Sequence, residues 1–195
     1  DNKVYSGFED GRIAAYDALN GDIIWQSQLS GIRVETVIDR LNDIDGSMIV
    51  DKGILYAISY QGSVAALDSF SGQILWSREA SSIDGLGTNY DNIFYTDDNG
   101  ILWCLDKYSG RPVWKQDNFQ KRLIGAPIFL NDFILVGDIE NYIHIINADD
   151  GTISGRIQLK SPIQSIYTEF DSIFVLDKDF NLNKYEINRI SQIEK

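Results

Sequence analysis

A unit of about forty residues recurs along the chain, and no other feature limits the fold as much. Its clearest copies read VYSGFEDGRIAAYDALNGDIIW (residues 4–25), LYAISYQGSVAALDSFSGQILW (55–76) and IFYTDDNGILWCLDKYSGRPVW (93–114). A fourth, ILVGDIENYIHIINADDGTISG (134–155), keeps the spacing but carries Asn147 at the Asp position and Gly155 at the Trp position. A fifth opens with IFVLDKDFNLNKYEIN at Ile173 and stops before its Gly and Trp would come. Short apolar runs, some alternating and some apolar throughout, separated by Gly- and Asp-rich turns and without a long helical pattern, indicate stacked sheets.

The expected fold class is therefore all-β: a β-propeller of four-stranded antiparallel blades, here a partial propeller of about 4–5 blades from a larger parent. The expected blades are residues 1–29 (inner strand missing), 30–79, 80–117, 118–158 and 159–195 (outer strand missing). Strand counts of three, four, four, four and three follow, and the open edges at both ends predict self-association. Gly62, Gly72, Gly100 and Gly110 fall where hairpin turns need positive φ.

The recurring Asp, Gly and Trp of each unit have a structural reading. Asp17, Asp68 and Asp106 can accept backbone N–H groups in the turn that follows each of them, and Gly21, Gly72 and Gly110 complete that turn. Trp25, Trp76 and Trp114, placed at the ends of outer strands, can cover the joint between adjacent sheets, each contributing roughly 2–3 kcal/mol by burial. Ala15, Ala66 and Cys104, all small, leave room for a neighbouring ring.

One interval is out of step. Trp25 and Trp76 are 51 residues apart, whereas Trp76 and Trp114 are 38 apart and Ile134 and Ile173 are 39 apart. The excess lies in GIRVETVIDRLNDID, residues 31–45, between the outer strand of one blade and the inner strand of the next. Loops that exceed a repeat's minimal length carry binding function on a rigid scaffold. Asp39, Asp43 and Asp45 make this loop acidic, and Arg40 and Leu41 add contact surface, so it is the candidate protein-docking edge.

Catalytic chemistry is thinly represented. The sole Cys104 excludes an intramolecular disulfide, and the sole His144 lies within the strand YIHIIN, where a core role is expected. Asp177-x-Asp179-x-Asn181 begins like a calcium loop, but Leu182 replaces the required Gly and Asn188 stands where the bidentate Glu belongs. Asp97-Asp98 and Asp149-Asp150 fall on turns, where solvation accounts for them. A formal charge of -12 opposes binding to nucleic acid. There is no apolar run of transmembrane length and no signal peptide.

The run DRLNDIDGSMIVDKGILYAISYQGSVAALDSFSGQILWSRE (39–79), together with KRLIGAPIFLNDFILVGDIENYIHIINADDG (121–151), resembles the BamB family of outer membrane protein assembly factors. The resemblance covers essentially the whole chain and about the C-terminal half of the family. It implies an eight-bladed propeller in the periplasm, attached to the outer membrane by an N-terminal lipid that this chain does not contain. It also implies a docking subunit without catalysis or cofactor, which binds the POTRA domains of BamA and aids delivery of nascent outer-membrane proteins. Asp43 and Asp45 match the family's contact motif, while a second contact loop, containing Leu and Arg, would precede residue 1.

The Ala-x-Asp-x-x-x-Gly-x-x-x-Trp spacing is equally the repeat signature of quinone-cofactor dehydrogenases. A fragment of a PQQ-dependent propeller dehydrogenase is therefore the alternative. Such an enzyme needs a calcium-held cofactor, a general-base Asp and usually a vicinal Cys-Cys pair, none of which the motifs supply. A secreted ligand sensor is a third reading.

Overall fold

The computed structural model describes residues 2–29 and 48–187. Among these residues there is strand, turn and bend but no helix. They form two compact units, residues 1–127 and 128–195.

The first unit holds three sheets. One consists of β1 (Lys3–Gly7), β2 (Arg12–Asp17) and β3 (Ile23–Gln28). The next contains β4 (Ile49–Asp51), β5 (Ile54–Ile58), β6 (Gly62–Asp68) and β7 (Ile74–Ala80). The third contains β8 (Leu86–Thr88), β9 (Asn92–Thr96), β10 (Leu102–Asp106) and β11 (Pro112–Gln116). The second unit holds a sheet of β12 (Ile128–Leu130), β13 (Phe133–Gly137), β14 (Tyr142–Asn147) and β15 (Ile153–Gln158). Its other sheet is β16 (Ile163–Glu169), β17 (Ser172–Asp177) and β18 (Leu182–Glu186). Within each sheet every strand pairs antiparallel with its neighbours in sequence, the meander of a propeller blade.

Strand β6 shows why such sequences read as apolar throughout. Its Ala65 and Leu67 enter a core with Ile13, Ala15, Trp25 and Leu55, between the first two sheets. The intervening Val64 and Ala66 enter another core with Ile58, Leu86, Ile93 and Leu105, between the second and third. Alternate residues thus face opposite neighbours, and both faces need apolar side chains. In the second unit Leu130, Leu135, Ile143, Leu159, Ile173 and Val175 make the equivalent layer.

Two local features differ from expectation. The outer strands do not end at their Trp: β3 continues to Gln28 and β7 to Ala80, because the polar residues that follow still pair with β2 and β6 while facing solvent. Gly62 lies inside β6 opposite Ala80, and the left-handed residue of that turn is Gln61 at φ 49°. The side chain of Gln61 points outward there, so the turn accepts the penalty of a non-Gly residue.

Candidate functional site

The recurring spacing of each repeat becomes one turn repeated four times. Between the last two strands of each of the first four sheets, the amides of Gly21, Gly72, Gly110 and Gly151 donate to the carbonyls of Asp17, Asp68, Asp106 and Asn147. The Asp68 carboxylate accepts the amides of Phe70 and Ser71 and the Ser71 hydroxyl, and Asp106 accepts the amide and hydroxyl of Ser109. The hydroxyls are the main cause that holds both carboxyls below the ordinary value. Asp17 accepts the Leu19 amide, and Asn147 keeps the turn through the Asp149 amide. Two residues upstream, a bulge at Ala15, Ala66, Cys104 and Ile145 resets the register between the last two strands of each sheet.

Trp25 and Trp76 each reach from one sheet onto the turn of the next. The Trp25 indole N–H donates to Ser69 O at 3.1 Å, and its ring lies where a Cβ on Gly72 would stand. Trp76 repeats this on Lys107 O at 2.9 Å and against Gly110. Tyr5 and Tyr56 tilt against these rings at 5.9 and 6.4 Å. The Tyr5 hydroxyl also donates to Ser69 O, whereas the Tyr56 hydroxyl is enclosed and burial pushes it up to about 12. Trp114 tilts against Phe94 at 6.0 Å.

Lys107 adds a charge to the second of these joints that the spacing had not singled out. Its side chain is 1% exposed, and its ammonium donates to Asp51 Oδ2 at 2.7 Å and Asn89 O at 2.9 Å. The hydrogen bond from Lys107 holds the Asp51 carboxyl below the ordinary value. Its counterpart in the first joint, Ser69, is uncharged and also buried.

Asp39, Arg40, Leu41, Asp43 and Asp45 lie outside the described residues. The two flanks of that insertion are described, and both are anchored. Leu29 donates its amide to Gly11 O and accepts the Ser63 hydroxyl on its carbonyl. On the far side Met48 packs against the core around Leu55, and Ile49 pairs with Tyr56. Ser63 carried no recognisable signal in the sequence, because its role depends on a strand pairing rather than on a motif.

The turns between second and third strands hold acids of a different kind. Asp97 accepts the amides of Asn99 and Ile101 on one oxygen and the Trp103 indole on the other. Asp138 does the same with Glu140, Tyr142 and His144, the imidazole Nε2 lying 2.8 Å from Oδ2. Asp177 takes the amides of Asp179 and Asn181 and the Asn181 side chain. Solvation alone is therefore too weak an account of Asp97, and Asp98 accepts the Ser81 hydroxyl as well. Asp177, Asp179 and Asn181 form a hairpin turn closed by these bonds.

Chemically these groups are already committed. Cys104 is fully buried, and burial pushes its thiol up to about 12, where it stays protonated at neutral pH. His144 is buried against Asp138. Among the described residues no three His, Cys, Asp or Glu side chains are grouped to hold a metal ion.

Comparison with known proteins agrees with this architecture. The family model described as outer membrane protein assembly factor BamB matches residues 1–116. The BamB of Yersinia pestis is 39% identical over 145 residues, covering 74% of this chain and 37% of its own length. That of Legionella pneumophila is 31% identical over 189 residues, covering 96% of this chain and 49% of its own. The crystal structure of BamB from Moraxella catarrhalis superposes with a TM-score of 0.87 at 27% identity, over 95% of this chain and 56% of that one. The chain thus spans about half or less of the length of the curated relatives it matches. Four-stranded antiparallel blades, their indole-on-turn joints and these matches together make the chain a partial β-propeller that belongs to the family of the outer membrane protein assembly factor BamB.

Proposed function

We propose that the chain is part of a non-catalytic docking subunit of the outer-membrane β-barrel assembly machinery. It binds the POTRA domains of BamA and aids delivery or insertion of nascent outer-membrane proteins. It works in the periplasm, attached to the outer membrane by a lipid carried elsewhere in the protein. Within this reading the blades are residues 1–29, 30–79, 80–117, 118–158 and 159–195. The Asp, Gly and Trp of each repeat fasten successive blades.

The observation that carries the reading is the acidic insertion. Residues 31–45 break an otherwise regular step, and the chain enters and leaves the segment from anchored positions at Leu29 and Met48. A loop held by rigid strands is where a scaffold presents contact residues. Asp43 and Asp45, flanked by Asp39, Arg40 and Leu41, supply charge for steering towards a basic surface.

The test replaces Asp43 and Asp45 with Arg together and measures affinity for the isolated POTRA domains of BamA by calorimetry. Affinity is expected to fall about tenfold or more, since losing a charged contact and creating repulsion together exceed about 1.4 kcal/mol. Asp149→Arg with Asp150→Arg makes the same charge change on an exposed turn and should leave affinity near that of the parent. Equal affinities for both double variants would overturn the assigned surface.

A further inference from the structure

The first unit holds two joints, between its first and second and its second and third sheets, and the second departs from the first. In the second sheet the cross-strand row one step outward from the fastener reads Ala57, Ala65, Ser77. Ala57 and Ala65 are fully buried, and Ser27 of the first sheet closes on Gly72 O in the fastener turn. In the third sheet the same row reads Tyr95, Trp103, Lys115, and the residue facing it from the second sheet is Arg78 instead of Ser. Four small or neutral positions have become two aromatic rings and two cations.

These four side chains form one cluster. Tyr95 and Trp103 stack at 6.4 Å with an interplanar angle of 11°. The Arg78 guanidinium lies 6.0 Å, and the Lys115 ammonium 5.9 Å, from the centre of the Trp103 ring. Asp97 takes the indole N–H, so the half-buried Trp103 has its polar atom satisfied and its remaining surface is apolar and π-rich. Burial pushes the Tyr95 hydroxyl up to about 12, which keeps it a neutral neighbour of Arg78.

The cations stand near the surface. Arg78 is exposed, and Lys115 is half-exposed in a 3.5 Å pair with an equally exposed Asp117. Such a surface pair contributes little, so a partner's carboxylate can replace Asp117 at small cost. Residues 111–122 carry Arg111, Lys115, Lys121 and Arg122 against Asp117 alone, in a chain whose net charge is -12. The segment is thus a local reversal of the molecule's sign. Val113, half-exposed at the bulge of β11, adds apolar surface two residues along the strand from Lys115.

We propose that this outer rim of the joint between the second and third sheets docks an acidic, extended peptide segment of a partner protein. A carboxylate of the segment meets Arg78 and Lys115, and an apolar side chain beside it lies on Trp103 and Val113. Arg recognises carboxylates through its planar fork, and Trp beside Arg is the composition of binding hot spots. A phosphate-dense surface is the poorer match, because the acidic remainder of the chain repels it, whereas a short segment touches only the basic stretch. The site lies on described strands outside residues 31–45 and has the opposite sign, so it stands independently of the BamA-binding reading.

The experiment uses the full chain and a short fluorescein-labelled peptide of alternating Glu and Phe, read by fluorescence anisotropy. Binding that weakens with salt is expected, with none for the same peptide carrying Lys in place of Glu. Arg78→Glu with Lys115→Glu should weaken binding about tenfold or more, and Trp103→Ala several-fold. Arg78→Gln with Lys115→Gln removes the charges while keeping polar stems, and it should weaken binding even if the Glu pair unfolds the chain. No peptide binding, unchanged affinity in the Gln pair, or displacement of the peptide by phosphatidylglycerol vesicles or inorganic phosphate at equivalent anion concentration would each overturn the proposal.

Discussion

Gly21, Gly72 and Gly110 share a backbone conformation, with φ of 77°, 74° and 67°, yet their surroundings differ. A Cβ on Gly21 would meet nothing within 4 Å, whereas one on Gly72 would fall 2.5 Å from the Trp25 ring. Gly21→Ala is therefore expected to cost only the left-handed penalty, about 1 kcal/mol. Gly72→Ala should cost about 3 kcal/mol, because Trp25 must also move. Chemical denaturation of the two variants measures the difference; equal losses would show that the ring does not depend on that missing Cβ. The positions of these glycines were legible because the spacing recurs within a single chain. Which atom each Trp would reach was not legible, since Ser69 and Lys107 share no chemistry beyond the backbone carbonyl that accepts the indole.

Among the elements, the turn after the second strand was the least visible in the sequence. Asp97 and Trp103, or Asp138 and His144, stand six residues apart, and they meet only because a tight hairpin folds one strand onto the other. A one-residue change of register would separate them, so spacing without the turn geometry says little. The tie between the second and third sheets was similarly hidden, because Asp51 and Lys107 are 56 residues apart. Asp51→Ala strands an enclosed ammonium and should cost about 2 kcal/mol, less than a fully buried pair would because Asp51 is itself one-third exposed. Lys107→Met with Asp51→Ala removes both charges and should recover most of that loss. Thermal unfolding of the single and double variants distinguishes these outcomes, and a double variant no better than the single would contradict this account of the tie.

At the scale of the whole molecule, a chain of net charge -12 combines mutual repulsion with carboxylates that the fold keeps ionised. Asp51, Asp68, Asp106, Asp150 and Asp177 all titrate below the ordinary carboxylate value, each through hydrogen bonds to its charged form. A depressed folded value contributes stability that is present above the unfolded value, about pH 4, and is lost as pH falls through the folded one. The urea midpoint should therefore hold from neutrality down to about pH 5 and drop below about pH 4, whereas added salt at neutral pH should raise it by screening repulsion. A midpoint that rises steadily into acid would show that repulsion outweighs the turn carboxylates. The repeat made the propeller architecture legible from the sequence, but the Trp103 cluster was not, because its four members come from four strands and two sheets. Only the register aligns Tyr95, Trp103 and Lys115 with Ala57, Ala65 and Ser77 and so makes the exception visible.

The indoles of Trp25 and Trp76 point forward, each from its sheet onto the turn of the next, which makes the coupling between the three sheets of the first unit directional. The second sheet receives on one side through Ser69 and gives on the other through Trp76, groups that do not overlap. Loosening Trp76 opens the joint ahead of it and leaves Trp25 in its seat behind. The link stays the same in both joints while the row further out differs between them. Selection can therefore rewrite that outer row one joint at a time, trading small side chains for rings and cations, while the sheets remain joined by the same grip.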